Sequence, residues 1–364
     1  MLRVGSDFSG VGAFNQALIR LGVEYKEVFA CDMDKFARET FIHNYGEPEY
    51  YPTNVYDRAI PSESLDIYMT SPPCQAFSLA GKRLGKDDKR GILFFNSHEF
   101  IQVNKPRFFI FENVNGLLSD DGGKTFQEWC NMLGGKSVNG VPVLFPYEES
   151  VPYHLYWKVL NAKNHGVPQN RERVFLIGIR DDADNRFQFP REEHLTKRLK
   201  DVLDDQFDEK YYLSEKMVEY VSSSGTKDFF YKPEFLENTS EFVKPITTAQ
   251  DKRAGTTNYI KIKSATSKGY EEATIGDSIN YTFPSSKTRK GRVGKGVAQT
   301  LDTACNQGTL IQDRIRRLTP RECFRLMDFP DTFTWPVSDS QAYKQAGNSI
   351  VVNVLYKILK QLPL

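Results

Sequence analysis

The chain has 364 residues and a mass of 41.7 kDa, which at about 150 residues per domain reads as roughly two domains rather than one core. A hydrophobic share of 40%, a charged share of 26% and a mean hydropathy of −0.50 describe a globular composition, and no apolar run approaches the roughly 18 residues that would cross a membrane. The net charge of +1 conceals an uneven distribution: Lys252 to Arg317 holds 13 basic residues against five acids, so that segment carries +8 and the rest of the chain −7.

In chain order, the first half alternates short apolar runs with helical patterns, the signature of a parallel or mostly parallel α/β sheet. Leu2 to Ser6 reads as a strand. Phe14, Ala17, Leu18 and Leu21 then repeat at helical spacing, and Gly22 supplies a stop. Glu27 to Cys31 is a second strand, followed by a helix with Phe36, Ala37, Thr40 and Phe41 on one face. Leu65 to Met69, Arg107 to Phe111 and Arg173 to Ile179 complete the expected strands, the middle one apolar enough to be covered on both faces. Between 182 and 310 the periodicity fades and turn residues multiply, so a second, irregular domain is expected there, with 1–181 and 311–364 forming the first. The terminal helix carries an apolar stripe of Ile350, Val351, Val354, Leu355, Ile358 and Leu359, with Asn348-Ser349 as its cap.

Several residues fall at carboxyl ends of these strands, which in an open α/β sheet is one shared crevice. Asp7-Phe8-Ser9-Gly10-Val11-Gly12 links a strand to a helix through glycines. A dehydrogenase-type loop would usually add a third glycine where Asn15 stands. Asp32 lies 20 residues beyond Gly12, the position of an acid that bonds ribose hydroxyls, so an adenosine-containing cofactor follows; an ordinary loop carboxylate is the alternative. Ser71-Pro72-Pro73-Cys74-Gln75-Ala76-Phe77-Ser78 presents a cysteine on two prolines. A free cysteine is more often a small buried hydrophobe, but prolines that fix the backbone suit an exposed thiol better than packing. Glu112-Asn113-Val114 closes another strand. Gln169, Arg171 and Arg173 alternate and as an extended segment face one side. The basic segment would draw a polyanion, because neutralising phosphates releases counterions; a solvated surface is the plain alternative.

The five cysteines are odd in number, widely spaced and without a C-x-x-C pair. They read as reduced thiols in a cytoplasm, with no disulfide framework and no metal site. The N-terminus places Asp7 and three glycines by position 12 where a secretory leader would carry a charged head and an apolar stretch, so export is not expected.

Taken in order, these strings resemble the bacterial cytosine-C5 DNA methyltransferase family. The resemblance rests on Asp7 to Gly12, Asp32, Pro73-Cys74-Gln75, Arg90-Gly91-Ile92-Leu93-Phe94-Phe95, Glu112-Asn113-Val114, Gln169 to Arg173, Arg317-Leu318-Thr319-Pro320-Arg321-Glu322 and Gln345-Ala346-Gly347-Asn348-Ser349. It covers nearly the whole chain except 182–310, where the family keeps a variable target-recognition region and where Thr300-Leu301 is similar to its short marker. Three positions depart: Ala13 replaces a common second glycine, Cys31-Asp32-Met33 stands where Glu-Trp is frequent, and Asn54-Val55 occupies the place of an adenine-contacting Asp.

The resemblance implies a Rossmann-like class I methyltransferase sheet with a smaller target-recognition domain, and S-adenosyl-L-methionine as the cofactor, leaving as S-adenosyl-L-homocysteine. It implies that Cys74 attacks C6 of a cytosine swung out of double-stranded DNA, that a protonated Glu112 serves N3, and that Arg173 and Arg171 complete the catalytic set. Cofactor contacts carry over to Phe8, Gly10, Gly12, Asp32, Met33, Asn54, Val55, Pro73, Leu93, Asn348 and Val351. DNA contacts are expected from Gln75, Ser78, Lys287, Arg289, Arg292, Thr300, Leu301, Asn306, Gln307 and Gly308. A monomer in a bacterial or phage-infected cytoplasm is expected, with a cognate restriction endonuclease as the partner that would act separately on the same DNA. A transfer-RNA cytosine methyltransferase would carry Pro-Phe-Thr where Ala76-Phe77-Ser78 stands, and a non-catalytic DNA-binding accessory protein of this fold would have lost Cys74 or Glu112.

Overall fold

A computed structural model of the chain describes residues 1–72, 92–183, 186–222, 259–311 and 314–364. These residues form two compact units. The first comprises Met1–Arg198, Thr300–Cys305 and Pro320–Leu364; the second comprises Leu199–Gln299 and Asn306–Thr319.

The first unit follows the expected alternation: β1 (Leu2–Asp7), α1 (Ala13–Leu21), β2 (Tyr25–Cys31), α2 (Lys35–Tyr45), β3 (Ile67–Thr70), α3 (Ile92–Asn104), β4 (Phe108–Val114), α4 (Lys124–Leu133), β5 (Ser137–Val138), β6 (Val141–Pro142), β7 (Tyr153–Asn161), β8 (Gln169–Asn170) and β9 (Glu172–Arg180). The eight-stranded sheet has the order β2-β1-β3-β4-β9-β7-β5-β6. Strands β2, β1, β3 and β4 run parallel, whereas β9 is antiparallel to both β4 and β7. The sheet is therefore mixed. Its second half depends on β7, whose alternating buried and half-exposed residues mark a strand that an apolar-run criterion passes over.

Strand β4 is apolar throughout Phe108–Phe111 and buried at successive residues, the pattern of a strand covered on both faces. Phe109 lies opposite Gly178 of β9, and a Cβ added at Gly178 would stand 1.9 Å from the Phe109 ring; the glycine makes room for the aromatic. A core of Phe29, Tyr68, Phe100, Phe111, Trp129 and Leu155 fills one face, with Phe94 stacked on Trp129 at 4.2 Å between ring centroids.

After α5 (Glu215–Val221) of the second unit, the chain returns through α6 (Pro320–Leu326), α7 (Asp339–Asn348) and α8 (Val352–Leu359), and α8 packs on α1. The terminal helix is shorter than its sequence pattern. Asn348 ends α7, α8 begins after Val351, and no side chain caps it. Ile350 and Val351 are buried in the turn between the two helices, so the apolar stripe merges a turn with a helix.

The second unit is mostly short antiparallel β structure. Two strands, Ile260–Lys263 and Tyr270–Ala273, pair with each other, and Ser278–Asn280, Val293–Gly294, Gln307–Ile311 and Arg314–Arg317 make a four-stranded sheet. Gln307–Ile311 pairs with Arg314–Arg317, so this unit continues past the expected limit at 310, while Thr300–Cys305 packs with the first unit.

Candidate active site

The parallel strands end at Asp7, Cys31, Thr70 and Val114. Because β1 lies between β2 and β3, the connections that leave them diverge there, and a crevice opens beyond the carboxyl ends.

The loop after β1 is strongly bent. Phe8, Gly10 and Gly12 all have positive φ, at 57°, 55° and 83°, and for Phe8 that is an unfavourable backbone held by its surroundings. The Ser9 amide donates to the Cys31 carbonyl at 3.0 Å and the Gly10 amide to Asp32 Oδ2 at 2.7 Å. Asp32 Oδ1 accepts from the Asp34 amide at 2.8 Å. Asp32 is thus fixed by two backbone donors, each of its oxygens keeping a lone pair for a further hydroxyl. Beside it, the Met33 side chain is 85% exposed, an apolar face at the end of β2. A Cβ on Gly12 would come within 2.2 Å of the Tyr45 ring, whose hydroxyl donates to the Gly12 carbonyl at 3.0 Å.

Asp7, expected among the crevice carboxylates, instead faces the interior. It forms an ion pair with Arg58 at 2.9 Å in which both side chains are at most 2% exposed, and it accepts from the Tyr68 hydroxyl at 2.6 Å. The Arg58 guanidinium also lies 4.5 Å from the Phe100 ring centroid. Burial pushes the Asp7 carboxyl up, and Arg58 opposes the shift. Sequence alone offered no signal for Arg58, a charged residue in a stretch that reads as loop. Asn15 also has its own use: its amide donates to Glu27 Oε2 at 2.6 Å, and burial pushes the Glu27 carboxyl up to about 7.

Glu112 lies inside β4 rather than beyond it, since the strand continues to Val114. It is 8% exposed. Its Oε1 is 3.1 Å from Arg173 Nε, brought there by the antiparallel register that sets Val114 opposite Arg173. Desolvation raises the Glu112 carboxyl above its ordinary range, and the guanidiniums of Arg173 and Arg171 pull against that rise. The adjacent Asn113 donates to the Pro72 carbonyl at 3.4 Å, so the chain leading to the Pro73-Cys74 segment starts beside Glu112.

Arg171 is 3% exposed and donates to the carbonyls of Leu301 at 3.0 Å, Gly347 at 3.0 Å and Ser349 at 2.8 Å. It ties together two backbone segments, at Leu301 and at Gly347–Ser349, and is almost wholly shielded from solvent. Gln169 does similar work, donating to the Leu326 carbonyl at 2.7 Å and accepting from the Leu301 amide at 3.2 Å. Arg173 is the member of the alternating set that pairs with the Glu112 carboxyl.

Among the remaining expected cofactor positions, Asn54 is exposed, with its amide donating to Asp57 at 2.8 Å and its oxygen accepting from the Tyr56 amide at 3.1 Å. Val55 and Val351 are buried, Leu93 is half-buried and Asn348 is exposed. Helix α7, which ends at Asn348, is tied to α2 by Lys344 donating to Asp34 at 2.6 Å and Gln345 to the Phe36 carbonyl at 2.9 Å. Pro73, Cys74, Gln75 and Ser78 lie outside the described residues. The other four cysteines, Cys31, Cys130, Cys305 and Cys323, are buried, and burial pushes the thiols of Cys31 and Cys130 up to about 12, where they are inert.

The expected DNA contacts divide into two groups. Lys287 is exposed and Arg289, Asn306 half-buried. Arg292, in contrast, is 1% exposed and donates to the carbonyls of Asn280 at 3.3 Å and Thr282 at 2.9 Å. Gln307 is also 1% exposed and exchanges hydrogen bonds with the Gln299 backbone, both at 2.9 Å. A Cβ on Gly308 would meet the Arg316 carbonyl at 2.3 Å. Leu301 is buried, and the exposed Thr300 hydroxyl donates to the Asn170 carbonyl at 2.8 Å. Arg292, Leu301, Gln307 and Gly308 are therefore packing residues, because their polar groups or volumes are consumed inside their own units. Among the described residues no cluster of His, Cys, Asp or Glu suited to a metal is found, and no helix is long and apolar enough to cross a membrane.

Comparison with known proteins places this geometry. Residues 2–363 match the C-5 cytosine-specific DNA methylase family. The chain is similar to the orphan methyltransferase M.SPRI of Bacillus phage SPR, at 32% identity over 99% of this chain and 97% of the relative. It is also similar to the type II methyltransferase M.HhaI of Haemophilus parahaemolyticus, at 33% identity over 96% and 91%. The fold is shared with the crystal structure of the S. pombe Dnmt2 methyltransferase, with a TM-score of 0.60 and 18% identity, covering 99% of this chain and 97% of that one. The α/β sheet, the Glu112–Arg173 pair and a full-length family match lead to one conclusion: the chain belongs to the C-5 cytosine-specific DNA methylases and is a DNA (cytosine-5-)-methyltransferase.

Proposed function

We propose that this enzyme methylates cytosine in a defined sequence context of duplex DNA by transient covalent attachment of Cys74 to C6 of an extruded base. Cytosine C5 is a weak carbon nucleophile. Addition of the Cys74 thiolate to C6 places electrons on the ring, and a proton held at N3 by Glu112 accepts the resulting charge. The observation that carries this reading is a carboxyl on β4, 8% exposed and paired with Arg173, in which desolvation favours the protonated form. Arg173, at 3.1 Å, orients that carboxyl and stands ready to donate to the exocyclic oxygen of the base. Arg171 is a positioning residue that ties the Leu301 and Gly347–Ser349 segments behind it. Once C5 has been methylated, loss of its proton to water allows Cys74 to leave by elimination. The base reaches this crevice only by leaving the duplex stack, at a cost of a few kcal/mol.

Family membership implies S-adenosyl-L-methionine as methyl donor, and the residues present suit it. The left-handed loop of Phe8, Gly10 and Gly12 brings bare backbone to the crevice, Asp32 retains acceptor capacity for ribose hydroxyls, and Met33 offers an exposed apolar face to a heterocycle. Asn54, Val55, Pro73, Leu93, Asn348 and Val351 complete the proposed contacts. When bound, the cofactor supplies an activated methyl group and departs as S-adenosyl-L-homocysteine. The second unit serves target recognition, with Gln75 and Ser78 of the first approaching the emptied base position. We further propose a monomer working in a bacterial or phage-infected cytoplasm, alone or alongside a restriction endonuclease of matching specificity.

The test is expression in a host without cytosine methylation, with modified cytosines mapped across its genomic DNA. The parent chain should methylate one short context, and Cys74→Ala should methylate none while still binding duplex. Methylation surviving Cys74→Ala would refute the covalent route.

A further inference from the structure

We propose that Phe283 is a DNA-contacting side chain, presented by a loop that Arg292 and Glu271 hold open for it. The proposal rests on the duplex-DNA reading above. Phe283 is 73% exposed, although its ring would gain from burial. Its backbone is left-handed, with φ at 49°, a conformation that side chains larger than Asn or Asp rarely adopt. Strain of this kind persists only where surroundings impose it, and here they can be named. The Phe283 carbonyl accepts from the buried Arg292 guanidinium and from the Ser286 amide at 3.0 Å, while Arg292 also grips the carbonyls of Asn280 and Thr282. At the other end of the loop, Glu271 accepts from the Gly291 amide at 2.8 Å and the Val293 amide at 2.9 Å. Both ends of the segment are therefore clamped by charged side chains whose hydrogen bonds go to backbone.

The clamps keep an aromatic ring in water on the same loop that carries Lys287, Arg289 and Lys290. Nothing in that arrangement favours the free protein. An exposed apolar ring on a basic loop matches a partner that offers both negative charge and apolar surface, which is duplex DNA: phosphates for the cations, and base edges or a base step to wedge into for the ring. Arg292 thus contributes to binding without touching a phosphate, and the flexible-looking Ser285 to Lys290 stretch is pre-organised, which lowers the entropy cost of association.

The full chain is titrated into a fluorescein-labelled mixed-sequence duplex and anisotropy is followed at several potassium chloride concentrations. Phe283→Asn removes the ring and suits the left-handed backbone better, so its thermal midpoint should equal or exceed the parent's. Its affinity should fall about tenfold, the scale of one lost aromatic–base contact, with the slope of log affinity against log salt unchanged. Phe283→Tyr should restore parent affinity. Lys287→Ala, in contrast, should flatten the slope by about 0.9. Phe283→Asn binding within about twofold of the parent would overturn the proposal while leaving the DNA reading intact. A parent chain with no salt-dependent duplex binding would sink the DNA reading itself.

Discussion

Glu27 provides a quantitative test of how the cofactor loop is supported. Its carboxyl sits behind α1, accepting from Asn15 at 2.6 Å, and burial lifts it from 4.5 to about 7. The folded state therefore holds a proton that the unfolded chain releases. Stability from this group is fully present below about pH 4.5, declines as pH rises, and is lost above about pH 7. At about 1.4 kcal/mol for each tenfold change in proton activity, the gap corresponds to roughly 3 kcal/mol. Glu27→Gln keeps an oxygen for the Asn15 amide and removes the titration. Urea unfolding of parent and variant, compared at about pH 5 and about pH 8, isolates the single group from every other titration. The variant should gain stability relative to the parent on going to the higher pH, by up to about 3 kcal/mol. A difference independent of pH would mean that the carboxyl is ionised in the folded protein, contradicting the buried-acid account.

Arg171→Met should cost about 3 kcal/mol or more in unfolding free energy, because it leaves three buried carbonyl acceptors without their donor; denaturant midpoints measure this, and a near-neutral result would deny the arginine its architectural role. Arg173→Met removes the cation that holds the Glu112 carboxyl down, so the alkaline limb of kcat/KM against pH should move to higher pH even as kcat falls. An unmoved limb would dissociate the pH profile from Glu112. Arg292→Met should destabilise the second unit yet leave the salt dependence of duplex binding unchanged, whereas a flattened slope would show a phosphate contact that its burial argues against.

Strands β1 to β4 and helices α1 and α2 were legible because each is a local pattern: apolar runs at Leu65–Met69 and Arg107–Phe111, helical spacing around Phe14 and Phe41; helix α3 was not legible. Strand β7 was not, since its alternation includes Tyr156, Trp157 and Lys158, residues that periodicity does not distinguish from a surface. The place of Glu112 in a strand was legible, but its distance to Arg173 depends on the antiparallel register with β9, which no local pattern encodes. Burial was the main source of error. Arg292 and Gln307 read as exposed polar residues of a loop, yet each satisfies backbone groups of a neighbouring strand or turn eight to ten residues away. Asp7 reads as a crevice acid, and its turn inward depends on Arg58, some 50 positions away in the chain. Charged side chains consumed inside the fold leave no mark in composition or spacing.

The central claim, a temporary bond between Cys74 and the cytosine ring, is most directly tested with duplex DNA bearing 5-fluorocytosine. Fluorine at C5 cannot leave as a proton, so elimination is blocked after methyl transfer and the attached protein should accumulate. Denaturing mass spectrometry should then show the parent chain increased by the mass of the methylated strand, and Cys74→Ala unchanged. An adduct formed equally by both chains, or by neither under conditions where ordinary cytosine is methylated, would contradict the account.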